Sequence, residues 1–153
     1  MTENAPASDG TSERDGRERL AFVCVRNAGR SQMAAAFAER EARERGVEDR
    51  IAVESGGTDP ADAVHPVVVE AMAEIGVDVG DREPRAVDES ALATCDHVAT
   101  MGCSTLSLPP SVAVDDWALP NPGGEDLRTV REIRDTVERR VCALFDERFP
   151  ETV

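Results

Sequence analysis

From Leu20 onward, short continuous apolar runs alternate with apolar residues at helical spacing. The run "LAFVCV" (20–25) has the pattern of a strand buried on both faces. "SQMAAAFAEREARERG" follows, with Ser31 at its start, Met33, Ala34, Phe37 and Ala38 on one face, and Gly46 as a C-terminal stop. Glu39–Arg43 and Glu41–Arg45 are spaced as i,i+4 ion pairs on its solvent side. A second strand, "RIAVES", ends at Gly56-Gly57. A second helix begins near Pro66 and carries Val68, Met72 and Ile75 to Gly76. After a charged connection, "DHVATM" (96–101) predicts a third strand and "SVAV" (111–114) a weaker fourth. A last helix over about 125–148 spaces Val130, Ile133, Val137, Val141, Leu144 and Phe145 on one side.

Strands alternating with helices predict an α/β fold, a single-domain, open four-stranded parallel sheet flanked by helices on both faces. Residues 1–17 are polar and nearly free of large apolar side chains, which predicts a disordered tail before a domain at 18–153. In such sheets the functional groups lie in loops beyond the carboxyl ends of the strands. Three loops should meet there: Cys24–Ser31, Gly102–Pro110 and Asp115–Gly124. Cys24 and Cys103 therefore fall on the same edge.

Charge narrows the partners. Asp and Glu number 31 against 17 Lys plus Arg, every one of them Arg, for a net charge of −14. With no basic stripe, nucleic acid and anionic membrane are not expected partners. Self-repulsion of this size is relieved where salt shortens the Debye length to about 3 Å, at 1 M, so a halophilic source is expected. No apolar run approaches the roughly 18 residues of a membrane span, and the first residues lack the apolar core of a signal peptide, so the expected location is cytoplasmic. The four cysteines, Cys24, Cys95, Cys103 and Cys142, form no C-x-x-C pair and no cluster with His65 or His97. No metal site is expected, and Cys95 and Cys142 read as buried apolar filler.

The chemistry concentrates in Cys24-Val25-Arg26-Asn27-Ala28-Gly29-Arg30-Ser31, a C-x5-R-S string between a strand and a helix. A loop this short can curl its backbone N–H groups around an oxyanion, with the positive end of the helix behind it. Arg30 offers a planar fork to two oxygens. Ala28 and Gly29 leave room for close approach, Asn27 can brace the loop, and Arg26 adds charge at the rim. The same field favours the thiolate of Cys24, and a thiolate facing a tetrahedral oxyanion is a nucleophile.

The string "VCVRNAGRSQMA" resembles the active-site loop of the low-molecular-weight protein tyrosine phosphatase superfamily, in particular its thioredoxin-coupled arsenate reductase branch, whose fold has flavodoxin-like layering. The resemblance continues through "SGGTDPADAVHPVVVEAMAEIGVDV", "DHVATMGCS", "DDWALPNPGG" and "VREIRDTVERRVCALFDE". The loop specifies the superfamily; "TMGC" and "RSQMA" point to the reductase branch. The resemblance implies that Cys24 attacks arsenate held by the loop amides (Val25 to Ser31) and Arg30. Cys103 then resolves the adduct, leaving a Cys24–Cys103 disulfide and releasing arsenite. No bound cofactor is implied, only an external thiol reductant, thioredoxin or a small thiol.

Two positions depart from the pattern. "CSTLSLPPS" lacks the second resolving cysteine of thioredoxin-coupled members. Asn121 stands before Pro122 where the family has an aspartate acting as general acid, a role typically worth about 10²–10⁴-fold; Asp115 and Asp116 are the candidate substitutes. Two other readings remain open. One is a low-molecular-weight phosphatase with a Cys24 phosphocysteine intermediate, whose aromatic wall, in a chain without tyrosine, would have to be Trp117. The other is a weakly active relative that binds arsenate or phosphate, or senses redox state.

Overall fold

A computed structural model describes residues 17–101 and 108–150. Four parallel strands, β1 (Glu18–Cys24), β2 (Ile51–Gly57), β3 (His97–Met101) and β4 (Ala113–Asp116), form one sheet in the order β2-β1-β3-β4. The chain runs from β1 outward to β2, then crosses to β3 on β1's other side. The order therefore reverses at β1, and the crevice of such a sheet opens at that point, beyond the strand's carboxyl end. Cys24 is the last residue of β1 and is in register with Gly57 of β2 and Met101 of β3.

Alternation along β1 divides the core. Leu20, Phe22 and Cys24 face the larger side, where α1 (Arg30–Glu44), α2 (Pro66–Ala73) and α4 (Leu127–Arg148) pack. The small residues Ala34, Ala35 and Ala38 of α1 let it lie close to the sheet, while Val130, Val137, Val141 and Phe145 of α4 fill the remaining depth. Asp126 caps α4 by accepting from the Thr129 amide at 2.9 Å. Ala21 and Val23 face the other side, covered more thinly by Leu92, Cys95, Val98 and Val112. Among the described residues its one helix is α3 (Glu89–Leu92), capped by Asp88 and too short to have shown a period in what the sequence presented as a charged connection.

Three local expectations are corrected. The fourth strand lies at 113–116 rather than 111–114, because Val112 turns into the smaller core and the strand proper is an exposed edge with no burial pattern. Glu39 pairs across the fold with Arg82, at 3.0 Å, rather than with Arg43. Glu41 and Arg45 do pair, at 2.9 Å, but at the seam between α1 and α4, where Arg45 also reaches Asp146 at 2.6 Å. The 1–16 part of the predicted tail and residues 102–107, including Cys103, lie outside the described residues.

Candidate active site

The loop from Cys24 to Ser31 is shaped by where its carbonyls go. The segment after β2 runs beside it: Thr58 N–H donates to Cys24 O, Asp59 N–H to Val25 O, Ala61 N–H to Arg26 O and His65 N–H to Ala28 O, at 2.8–3.2 Å. Gln32 Nε2 donates to Asn27 O at 3.1 Å. Five successive carbonyls thus point outward. Because the peptides are trans and planar, the following amides, Val25 to Gly29, must point the opposite way, toward the loop's centre. This is the concave ring of donors that an oxyanion needs. The Asn27 amide reaches the sulfur of Cys24 at 3.2 Å.

Asn27 turns the loop at φ 50°, the one non-glycine residue in the left-handed region among those described. Its side chain holds that turn. Oδ1 accepts from the Arg85 amide at 2.9 Å and from Gln32 Nε2 at 3.0 Å, which fixes Nδ2 as the donor to Ser31 Oγ at 2.7 Å. Ser31 Oγ also lies 2.9 Å from Cys24 Sγ and can donate its hydrogen to a thiolate there. The sulfur is thus contacted by both the Asn27 amide and the Ser31 hydroxyl. Two glycines allow this closeness. A Cβ on Gly57 would stand 2.6 Å from Val25 O, and one on Gly29 only 2.5 Å from Pro122 Cγ. Gly29→Ala should push the 121–123 loop away, costing about 1–3 kcal/mol of stability and weakening phosphate binding. Denaturant unfolding and phosphate titration in molar salt check both effects.

Arg30 begins α1 and is buried, 6% exposed. Its NH1 donates to Leu119 O at 2.8 Å, tying the loop after β4 to the site, while its Nε is buried without a hydrogen-bond partner. Arg26 is half-exposed and donates to Asp59 O and Oδ2 at 2.9 and 2.7 Å, so it braces the segment after β2. His65 lies at the same mouth; burial, then Arg26 and Arg30, push its imidazole below the usual range.

The other sequence candidates are placed differently. Asn121 is exposed, and its Oδ1 accepts from the Gly123 amide at 2.9 Å, beside Pro122. Asp115 and Asp116 sit within β4 rather than in the loop after it. Asp115 Oδ2 lies 3.3 Å from His97 Nε2 and Asp116 Oδ1 accepts from Thr100 Oγ1 at 3.3 Å, so both have neighbours along the sheet rather than in the loop after it. Trp117 is buried against Phe22, ring centroids 5.8 Å apart. Cys95 is buried before the start of β3, at the sheet edge opposite Cys24, and Cys142 lies on α4. Burial pushes both thiols up to about 11. The sequence reading quoted "RSQMA" without singling out Gln32, which donates to Asn27, or Arg82, which donates to Gln32 Oε1 at 2.7 Å and has no local signal.

The low molecular weight phosphotyrosine protein phosphatase family matches residues 19–152. The chain belongs to that family. Within it, a Halobacterium salinarum protein called "Putative arsenate reductase" is 54% identical over 138 residues, 90% of this chain and 97% of that one. Among solved structures, a Corynebacterium glutamicum thioredoxin-dependent arsenate reductase superposes with a TM-score of 0.73 at 32% identity over 87% of this chain. This family member spans less than two thirds of that structure's length, 62%. An arsenate reductase in the phosphate binding state superposes with a TM-score of 0.71 at 31% identity, covering 85% of this chain and 98% of that one.

Proposed function

We propose that this chain is an arsenate reductase that uses Cys24 as nucleophile and Cys103 as resolving thiol. The buried Arg30 guanidinium carries the reading. An unpaired Nε–H beside a ring of inward amides is a costly arrangement unless an anionic acceptor completes it. Arsenate held there presents its arsenic to the Cys24 thiolate. Sulfur attacks arsenic, an arsenic–oxygen bond breaks, and the oxygen leaves as water using protons that arsenate itself carries. The Cys103 thiolate then attacks Cys24 Sγ. A sulfur–sulfur bond forms, the sulfur–arsenic bond breaks with its electron pair kept by arsenic, and As(V) becomes As(III), released as arsenite. Met101, the register partner of Cys24, is only two residues before Cys103 in sequence, which supports that pairing. An external thiol reductant restores the dithiol by exchange. With no second resolving cysteine in "CSTLSLPPS", that reductant attacks the Cys24–Cys103 disulfide itself.

The phosphatase reading is weaker because a phosphoester must expel an alkoxide or phenoxide, and Asn121 has no proton to give. Trp117, packed on Phe22, offers no exposed wall to an aromatic substrate. A single-turnover assay decides. Reduced protein mixed with arsenate in molar salt should lose two thiols, release one arsenite and yield a Cys24–Cys103 disulfide by mass spectrometry. Unchanged thiols with arsenate still bound would overturn the reading.

A further inference from the structure

Gln32 is 1% exposed, a polar residue directly followed on α1 by the buried run Met33 to Ala38. Every polar atom of its side chain is used. Nε2 donates to Asn27 O and Oδ1, with Glu83 O 3.4 Å away, and Oε1 accepts from Arg82 Nε at 2.7 Å. Arg82 comes from the turn between α2 and α3, 50 residues along the chain, and its NH1 rests on Glu39 of α1. Both side chains border a cavity of about 430 Å³ on the thinly covered face, away from the mouth of the oxyanion loop.

The hydrogen bonds have one direction. Arg82 donates to Gln32, Gln32 donates to Asn27 and Asn27 donates to Ser31, whose hydroxyl donates to the Cys24 sulfur when that sulfur is a thiolate. The guanidinium can only donate, and the acceptors Asn27 O and Oδ1 force the Gln32 amide into one orientation, so the series as far as Ser31 cannot reverse. A fixed positive charge stands at one end and the nucleophilic sulfur at the other. Aligned donors polarise one another in a buried setting, so each link strengthens the donor finally aimed at the sulfur.

We propose that Arg82 and Gln32 are positioning residues that orient the Asn27 amide and, through Ser31, hold Cys24 as a reactive thiolate. This rests on Cys24 being the nucleophile, as in the reading above, and requires no particular oxyanion. Other charged groups bordering the cavity, Glu54, Glu83, Arg85 and Asp88, and those around the loop, Arg26, Arg30 and His65, are the same in every variant named below.

The test reads Cys24 directly in the full-length chain, carrying Cys103→Ser so that no disulfide forms. Thiolate ultraviolet absorbance is followed against pH, with iodoacetamide alkylation of Cys24 mapped by mass spectrometry. Arg82→Gln and Gln32→Leu should each slow alkylation at neutral pH about tenfold and move the thiolate transition upward, and Arg82→Lys should recover most of the loss. Glu39→Gln removes the carboxylate that partly neutralises Arg82, so alkylation should hold or quicken. Phosphate binding and an unfolding transition confirm that each variant is folded. Unchanged alkylation in folded Arg82→Gln would overturn the proposal, as would Glu39→Gln slowing the reaction as much as Arg82→Gln does. Neither readout involves arsenate, so failure of the reductase reading would appear separately, in the single-turnover assay.

Discussion

Cys103→Ser should reduce arsenite release to background while leaving slow hydrolysis of an aryl phosphate at its wild-type rate. Cys24→Ser should abolish both. The contrast arises because the two sulfurs act at different steps. In the proposed mechanism Cys24 forms the bond to the oxyanion, and loss of such a nucleophile removes on the order of 10⁴-fold or more of rate. In that mechanism Cys103 enters only after the adduct exists, and its role is to accept sulfur–sulfur bonding so that two electrons pass to arsenic. Serine cannot do this, and the arsenate adduct then returns to free arsenate. Arsenite measured by chromatography beside a chromogenic phosphatase assay gives the pattern. If Cys103→Ser retained repeated arsenite release, the Cys24–Cys103 step would be wrong, and the resolving sulfur would have to come from the external thiol.

The second large effect is a gain. Asn121 stands beside Pro122, which touches the loop at Gly29, and its Oδ1 accepts from the Gly123 amide. Aspartate at 121 can keep that hydrogen bond through one oxygen and present the other, protonated, to a leaving group. Asn121→Asp should therefore raise aryl-phosphate hydrolysis about 10²-fold, with a much smaller effect on arsenite formation. The sign of the pH dependence follows from the role. The new carboxyl works only when protonated in the first step, so the gained activity should shrink as pH rises through its titration, whereas the parent shows no such limb. A flat response would mean that the 121–123 loop does not lie over the reacting oxygen.

What the sequence disclosed depended on how far apart the cooperating residues are. Cys24, Arg30 and Ser31 occupy one strand–turn–helix, so a short string carries both their spacing and their backbone setting. β1 and α4 were legible because burial on both faces, or on one helical stripe, writes a pattern over many residues. β4 was displaced by two residues because all four of its residues are exposed at the sheet edge, and α3 is shorter than any period that would announce it. Gln32 and Arg82 lie 50 residues apart, and only the fold brings the cation to the amide. The same holds for Arg30 and the carbonyl of Leu119, 89 residues away. Asp115 and Asp116 were drawn toward the site by their position in the chain; once β4 is placed, their neighbours are His97 and Thr100.

The thiols of Cys95 and Cys142 bear on how this chain ages. With burial raising both to about 11, the thiolate form of either is scarce at neutral pH. Oxidants and mixed disulfides act on thiolates, so these two sulfurs are kinetically insulated from the traffic of electrons at the carboxyl edge of the sheet. In the proposed cycle, slow exchange at Cys95 and Cys142 should limit scrambling among the four cysteines.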